Sequence, residues 1–535
     1  MKKIVLFVSI GLVLGFFSQR STAQVMELEK TYEITSKAKR GYLGNVVYND
    51  AEKTYKLTYV TKSTEKKAKF EHYYFDNDFN FIKMEEDEVE LEKASEKYRW
   101  FIYHGELYSV MGNYVEPNMV GTLVLKKKKI TYKYDWFFLG YYKTTEILEK
   151  VKPKTDDGRK FFYYAHGEDD VTGDIYVLCG VKADLKSIKA GEATAYSHQT
   201  DFVMLKFNAD LELVKETPIK FETPQGVKYS GVIPVYKNDP ENPSLGEMVF
   251  VFAPVGGPGM NKYADPNPRN YTYVRVDNNL EVKERIPFES PSSFWKVDEQ
   301  VYDLSTGAVY LFGPSIEGKD KYYNLITDAG KYKSVQLMKV ESGKIEYLTE
   351  TNLDEFEAKL QKPPAQKKAI AYKGKKFQTA GYFISSMKEF YLYGQNFKPS
   401  DKGDQMLDII AFHFDNKGVL KAQYGIDSEE SNKFAKSVGA PQDFIESADA
   451  KRMYWLIMEV KDVTAWKGKV LSYPRIGVIN TEAGTVGDLT SYGKESGYFL
   501  DPNYPFLETD KGNTLVFFGA DKGGKTLWFV RVALK

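Results

Sequence analysis

The residues that could do acid–base, nucleophilic or metal chemistry are few and scattered along this chain. Its five histidines are isolated, with no His-x-x-x-His or similar metal-ligand spacing; they are His72, His104, His166, His198 and His413. The single cysteine, Cys179, follows an apolar run at 175–178, which predicts a small buried side chain. The sequence has no Gly-x-Ser-x-Gly nucleophile elbow. We therefore expect a non-enzymatic protein without catalytic residues, metal ligands or cofactors.

Three short motifs look like ligand loops, and we interpret each as a turn. Asp76-Asn77-Asp78-Phe79-Asn80 alternates oxygen ligands as a calcium loop does, but Phe81 stands where that loop needs glycine. The glycine-rich stretch 254–259 lacks the Lys-Ser/Thr pair of a phosphate loop. The stretch 521–528 resembles the aspartate box of sialidase propellers, but it has an extra residue and occurs once. Hairpin chemistry accounts better for all three.

The overall charge excludes one class of partner. The 535 residues contain 74 basic and 74 acidic side chains, so no global field attracts nucleic acid. The basic run 126–129 and the acidic run 85–88 are local, and we expect solvated strand faces or charges that protect sheet edges there. The 40 tyrosines and 34 phenylalanines favour strands over helices.

The N-terminus predicts export. Lys2 and Lys3 precede an apolar run at 4–17, and Ser21 and Ala23 precede a cleavage point. A membrane anchor is the alternative, but about 14 apolar residues fall short of the ~20 that span a bilayer. We expect residues 1–23 to be a signal peptide, a mature chain from Gln24, and no transmembrane segment after cleavage.

A degenerate repeat runs along the mature chain. Each unit has a lead-in strand, a loop, a second strand entering a tight turn, and a third strand. Asp, Asn and Gly in the turns supply positive φ or a side chain that bonds its own backbone. The turns lie at 74–79, 205–211, 274–280, 337–345, 412–419 and 477–484. The lead-in strands lie at 55–60, 106–111, 174–178, 247–252, 308–312, 390–393, 453–458 and 515–518.

This repeat predicts an all-β fold, a single β-propeller spanning 24–535 with seven or eight four-stranded blades. The chain ends in the strand 527–532, and the strand 30–35 is a candidate to complete the last blade and close the ring. Sandwiches in series, the rival all-β architecture, would need linkers rich in Pro, Gly or Ser, which the sequence lacks. Helices are expected after Asn352, with Leu353, Phe356 and Leu360 on one face, and between Ser428 and Gly439.

Five long insertions follow the lead-in strands, at 183–200, 254–270, 314–331, 396–405 and 462–473. In a propeller the same connection of every blade reaches the same face, so these loops should share one rim. Large side chains with a polar handle suit recognition; the alternative is that they pack their own loops against the sheets. The candidate binding residues are Tyr196, His198, Tyr263, Arg269, Tyr322, Tyr323, Trp466 and Lys467.

The signal ending Thr22-Ala23-Gln24, the strands rich in Lys, Tyr and Phe, and the aspartate–asparagine turns together resemble exported propeller proteins of the Bacteroidota. The resemblance covers the mature chain through its repeat pattern. It implies an envelope or secreted location in a Gram-negative cell. Such proteins often carry a C-terminal sorting domain when they cross the outer membrane, but here the last strand is predicted to belong to the last blade. We therefore expect a periplasmic or outer-membrane-associated protein.

Three functional hypotheses follow. The first is a protein-binding scaffold or accessory subunit of an outer-membrane complex, such as a secretion channel, that uses the loop-rich face. The second is a propeller that binds or processes glycans, which carboxylates converging within about 10 Å at the channel mouth would indicate. The third is a purely structural ring.

Overall fold

The computed structural model describes residues 24–534 except 64–66, 91–107, 136–139, 184–187, 190–195, 237–243, 257–261, 318–331, 375, 401–402, 429–434 and 465–468. The signal-peptide prediction, residues 1–23, lies outside these described residues. Within them the fold is all-β, with largely antiparallel sheets that are mostly formed from consecutive stretches of chain. No described helix is both long and apolar enough to cross a membrane.

The strands form eight sheets in the described part of the chain, numbered here in chain order. Sheet 1 contains β2 (Tyr42–Asn49), β3 (Thr54–Ser63), β4 (Lys67–Phe75) and β5 (Phe81–Glu90). Sheet 2 contains β6 (Tyr108–Val115), β7 (Leu125–Asp135) and β8 (Gly140–Val151). Sheet 3 contains β9 (Phe161–Glu168), β10 (Ile175–Val181), β11 (Asp201–Phe207) and β12 (Leu213–Lys220). Sheet 4 contains β13 (Gln225–Val235), β14 (Ser244–Pro254), β15 (Asn270–Asp277) and β16 (Val282–Glu289).

The later sheets add short strand pieces at their edges. Sheet 5 contains β17 (Phe294–Trp295), β18 (Glu299–Asp303), β19 (Ala308–Ile316), β20 (Ser334–Glu341) and β21 (Lys344–Asn352). Sheet 6 contains β22 (Leu360–Gln361), β23 (Phe377–Ile384), β24 (Phe390–Lys398), β25 (Gln405–Phe414) and β26 (Leu420–Ile426). Sheet 7 contains β27 (Gln442–Glu446), β28 (Arg452–Val463), β29 (Val470–Asn480), β30 (Thr485–Val486) and β31 (Thr490–Ser491). Sheet 8 contains β32 (Tyr498–Leu500), β33 (Phe506–Thr509), β34 (Thr514–Asp521), β35 (Thr526–Leu534) and the N-terminal β1 (Gln24–Glu33).

The first strand of the described chain pairs with the last one. β1 runs antiparallel to β35, with Lys30 opposite Phe529 and Tyr32 opposite Leu527. The predicted pairing is therefore present, but the strand begins at Gln24 and ends at Glu33, earlier than the predicted 30–35. Thr35 instead accepts a hydrogen bond from the Ala38 N–H and caps α1 (Ser36–Arg40).

Alternating side chains pack each sheet against both of its neighbours. On β19, Tyr310 and Phe312 pack towards sheet 6, while Val309 and Leu311 pack towards sheet 4. Buried clusters of this kind join sheets 2 and 3, 3 and 4, 4 and 5, 5 and 6, 6 and 7, 7 and 8, and 8 and 1. Cys179 is fully buried in the cluster of sheets 2 and 3, as predicted. Consecutive sheets thus pack face to face, a propeller-like arrangement.

The predicted repeat matches the strand order. The described residues of the lead-in strands lie in β3, β6, β10, β14, β19, β24, β28 and β34. The six predicted turns join β4 to β5, β11 to β12, β15 to β16, β20 to β21, β25 to β26 and β29 to β30. In the 76–80 turn, Asp76 Oδ1 accepts hydrogen bonds from the N–H groups of Asp78 and Asn80, at 2.9 and 2.8 Å. The carboxylate therefore serves the hairpin, as predicted. Asp521 likewise accepts from the N–H groups of Lys525 and Thr526 between β34 and β35.

Two local predictions are corrected. The first predicted helix is short: α2 (Leu353–Ala358) is capped by Asn352, but Leu360 leaves the helix and pairs with Gln423 of β26. In the second helical patch, the described residues contain a single 3-10 turn at Ala435–Ser437. Further 3-10 turns lie at Ser197–Gln199 and Asp510–Gly512.

The two charged runs differ from one another. Glu85–Glu88 lies on β5, the outermost strand of sheet 1, where it protects an edge as expected. The basic run 126–129 lies on β7, between β6 and β8, so it does not protect an edge of the described sheet. Instead, Lys126 and Lys128 both pair with Glu116.

Candidate binding face

The connections from the second to the third strand emerge at one end of the sheets, called here the loop face. Strand order is the same in sheets 3 to 7, so alternating strand direction brings these connections to one side. Contacts between loops support this: Arg269, at the end of the loop after β14, donates to Glu317 after β19 at 2.8 Å. The opposite end, called here the turn face, carries the third-to-fourth hairpins.

Two of the predicted long loops are short hairpin connections. β24 and β25 stay paired to Lys398 and Gln405, and β28 and β29 stay paired to Val463 and Val470. The connections are therefore 399–404 and 464–469 rather than 396–405 and 462–473. The strand ladders continue further than the local composition suggested.

Tyr196 and His198 lie where the loop after β10 returns to sheet 3. The His198 ring lies 4.9 Å from the Phe162 ring, and the His198 carbonyl accepts a hydrogen bond from the Tyr164 hydroxyl at 3.0 Å. A Cβ on Gly180 would lie 1.9 Å from that carbonyl oxygen, so only glycine permits the close approach. His198 thus packs its own loop against the sheet.

Tyr263 and Arg269 share the loop after β14 but differ in their roles. Arg269 pairs with Glu317, and the same carboxylate accepts the Ser293 N–H at 3.1 Å, so Arg269 holds two loops together. Tyr263 is 43% exposed, with the Lys262 ammonium 4.6 Å from its ring centre. It remains available for contact. The other candidates, Tyr322, Tyr323, Trp466 and Lys467, lie outside the described residues.

An exposed apolar pair on this face was missed by the sequence reasoning. Met119 is fully exposed and Val120 is 66% exposed, both in the connection from β6 to β7. Lys182, which follows β10, donates to the Val120 carbonyl at 2.9 Å and so places this connection on the loop face. Exposed apolar side chains on a face are a signal of contact with a partner, but the sequence alone could not show that they are unburied.

A cleft of about 600 Å³ opens between sheets 3 and 4 at the loop face. It is bounded by the end of β12, the link into β13, and the strands β15 and β16. Its lining includes Phe221, Gln225, Asp265, Asn270, Thr272 and Arg285. The sequence reasoning selected the neighbouring Tyr263 and Arg269 and missed these residues.

A second, more enclosed pocket of about 240 Å³ lies between sheets 5 and 6. Its aromatic walls are Phe312, Tyr332, Tyr372, Phe377, Phe397 and Phe412. The Glu299 carboxyl also lines it, and burial raises its pKa although a hydrogen bond with Thr379 opposes the shift.

The first strands of the sheets carry further buried ionisable groups. Burial raises the pKa of Asp443 on β27 and of Glu508 on β33, and the Asp443 carboxylate raises the Glu508 pKa further. Burial lowers the pKa of Lys228 on β13 to about 8. First strands of successive sheets contact one another, as when Gln300 of β18 donates to the Val232 carbonyl of β13 at 3.1 Å.

Among the described residues, no three His, Cys, Asp or Glu side chains are grouped so as to hold a metal ion. His413 is fully buried: its Nε2 lies 2.9 Å from Glu389 Oε2 and its Nδ1 lies 3.0 Å from the Tyr424 hydroxyl. Lys421 donates to the other Glu389 oxygen at 2.8 Å. This network occupies both ring nitrogens of His413.

No protein-family model matches the chain. No curated protein sequence matches it either. Among solved structures, an ulvan lyase of polysaccharide lyase family PL25 aligns with 84% of this chain and 96% of its own, at 9% identity and a TM-score of 0.30. The lignostilbene dioxygenase of Pseudomonas brassicacearum aligns over 86% and 90%, at 12% identity and a TM-score of 0.28. The Pan2 WD40 domain of Neurospora crassa aligns over 96% and 95%, at 9% identity and a TM-score of 0.25. Similarities this weak assign neither a fold family nor an activity.

Proposed function

We propose that the eight sheets are the eight blades of one closed propeller. The seven packed interfaces, the contacts between successive first strands and the pairing of β1 with β35 support this. Closure requires sheets 1 and 2 to pack as well. Small-angle X-ray scattering of the mature chain tests it: a compact particle of this length has a radius of gyration of about 24 Å. A clearly larger value would indicate an open arc of sheets.

The protein serves as an exported, non-enzymatic scaffold that binds an envelope or outer-membrane protein through its loop face, in the manner of an accessory subunit. The observation that carries this proposal is the contiguous exposed pair Met119 and Val120, with the exposed Tyr263, on the loop face; at the turn face Leu304 and Met387 are exposed singly. Partly apolar, aromatic-bearing surfaces are common at protein interfaces. The signal sequence and the resemblance to exported Bacteroidota propellers support an envelope location.

Affinity purification of the tagged protein from its own cells in mild detergent, followed by mass spectrometry, tests the scaffold. The expected result is stoichiometric recovery of an outer-membrane protein and a mature N-terminus at Gln24. The double variant Met119→Ser, Val120→Ser should lose that partner. Leu304→Ser is the matched control, since Leu304 is 69% exposed but lies in the β18–β19 turn at the turn face. Recovery of the protein alone would contradict the proposal.

The second candidate is a glycan-processing propeller, which the carboxyls of Asp443 and Glu508 favour, because burial and the Asp443 charge raise the pKa of Glu508. Paired carboxyl groups, one held protonated, are the groups that glycosidic hydrolysis uses. Release of reducing ends from polysaccharides, abolished in both Asp443→Asn and Glu508→Gln, would establish this activity in place of the scaffold role. Equal release by the variants and the unmodified protein would exclude these two residues from catalysis.

A further inference from the structure

The cleft between sheets 3 and 4 contains an unsatisfied buried acceptor. Gln225 is only 4% exposed, and its amide nitrogen donates to the Thr223 carbonyl and hydroxyl at 3.3 and 3.1 Å. Its Oε1 atom is buried and has no hydrogen-bond partner within the described part of the chain. A buried acceptor left unpaired destabilises the folded protein, so a ligand that donates a hydrogen bond there would remove this cost.

The same cleft contains a guanidinium group, that of Arg285, which has no carboxylate partner among the described residues. Arg285 lies 4.6 Å above the Phe221 ring, and its Nη2 donates to the Lys220 carbonyl at 2.6 Å. No carboxylate among the described residues lies within ion-pair distance of it, and its remaining N–H groups are not used by those residues. A stacked guanidinium held in this way is suited to bind a planar carboxylate.

The acidic groups of the cleft do not neutralise Arg285. Asp265 accepts hydrogen bonds from the Asn270 amide at 3.1 and 3.2 Å and from the Asn267 N–H at 2.8 Å. These bonds fix the loop. The cleft is therefore lined by amide and hydroxyl groups, including those of Asn270 and Thr272. Glu222 is exposed at the rim. The cleft therefore offers fixed polar groups, one aromatic flank and an uncompensated cation.

We propose that this cleft binds an oligosaccharide that carries a uronate group. A sugar hydroxyl donates to Gln225 Oε1, the carboxylate accepts from Arg285, and further hydroxyls bond Asn270 and Thr272. A volume of about 600 Å³ suits a short oligosaccharide. An apolar peptide side chain would leave the Gln225 acceptor and the Arg285 donors unpaired. The inference deepens the glycan-binding hypothesis and does not depend on the protein-binding role.

Isothermal titration calorimetry of the mature protein with hexagalacturonate, and with neutral maltohexaose, tests this site. Saturable binding of hexagalacturonate at least tenfold tighter than of maltohexaose is expected. Arg285→Met keeps an unbranched side chain but removes the guanidinium and its donors, and it should weaken hexagalacturonate binding at least tenfold. Gln225→Leu should weaken both sugars. Lys283→Met, on the same strand but paired with Asp277 and Glu281, is the matched control and should bind normally.

Three results would overturn the proposal: binding of neither sugar, equal affinity for both sugars, or unchanged affinity in Arg285→Met. Arg285 is exposed, so this variant should fold even if Gln225→Leu does not. The affinity purification is repeated with Arg285→Met, so that protein binding and uronate binding are tested separately. A variant that retains its outer-membrane partner but loses the uronate would show that the sites are independent.

Discussion

The turn face and the loop face are built by different kinds of interaction. At the turn face, one side-chain oxygen in each of four hairpins accepts two backbone N–H groups at 2.8–3.0 Å; these oxygens belong to Asp76, Asn208, Asp277 and Asp415. Phe79, Leu211 and Leu280 adopt positive φ there and are buried. At the loop face, the described connections between second and third strands show this pattern at Asn118 alone, and the clefts form between sheets. Stability is thus encoded locally at one face, while the candidate binding features at the other depend on sheet packing.

The buried charges differ in the same way. Near the turn face, Glu389 accepts hydrogen bonds from His413 and Lys421, and these outweigh burial and hold its pKa at about 2. Near the loop face, burial lowers the pKa of Lys228 to about 8. The first arrangement stabilises the folded state, whereas the second destabilises it.

Glu389→Gln should have the largest effect, a loss of about 3 kcal/mol in the free energy of unfolding at pH 7, since it breaks a buried ion pair. Because the folded pKa is depressed, the contribution of the ionised group is complete above about 4.5 and is lost as pH falls towards 2. Urea denaturation at pH 7 and pH 3 should show a smaller difference at the lower pH. Glu446→Gln is the control, because the Glu446 carboxylate accepts only exposed hydrogen bonds, from Ser386. A deficit that does not depend on pH would contradict this account.

Lys228→Met should raise the free energy of unfolding by about 2 kcal/mol at pH 7, because it removes a buried cation. The folded pKa is lowered, so the penalty is complete below about 8 and disappears as pH rises to 10.5, where the unfolded chain also loses the proton. Denaturation at pH 7 and pH 10 measures this. Lys376→Met, at an exposed lysine, is the control and should change the free energy of unfolding little. A lower free energy of unfolding for Lys228→Met at pH 7 would show that neighbouring groups stabilise the ammonium more than burial penalises it.

Asp277→Ala should cost about 1 kcal/mol, because the N–H groups of Asn279 and Glu281 lose their acceptor at 2.9 and 2.8 Å. Thermal unfolding measures the loss. Asp277→Asn should be nearly neutral, because Asn208 performs the same role with an amide oxygen in sheet 3. Equal losses in both variants would assign the effect to charge rather than to the hydrogen bonds.

This difference between the faces explains what the sequence could predict. Lead-in strands and hairpin turns were predictable, because alternation and turn chemistry are local signals. The pairing of β1 with β35 was predictable for another reason: the repeat left the first and last strands as two edges without partners. The positive φ at Phe79 and Leu280 was not, since burial between sheets offsets the strain at a residue that would ordinarily avoid it. Leu360 was misplaced because its partner, Gln423, lies on a distant strand.

The candidate site was only partly predictable for the same reason. The sequence selected Tyr263 and Arg269, which lie in the loop after β14. The cleft beside them needs Gln225 from the start of sheet 4 and Arg285 from its last strand. No local pattern links two residues that meet only through the packing of sheets 3 and 4. His198 looked like a contact residue because its own packing against Phe162 was invisible in the sequence.

Tyr263→Ala should have the smallest effect on folding, within 0.5 kcal/mol, because the side chain is 43% exposed and lies in a loop. It should nevertheless weaken recovery of the outer-membrane partner, since exposed aromatic residues at interfaces contribute strongly to binding. Thermal unfolding and affinity purification of the same preparation measure both quantities. A large loss of stability would mean that Tyr263 packs its loop, as His198 does. Unchanged partner recovery would mean that Met119 and Val120, and not Tyr263, contact the partner. Opposite responses to Asp277→Ala and Tyr263→Ala would therefore show that the two faces separate folding from recognition.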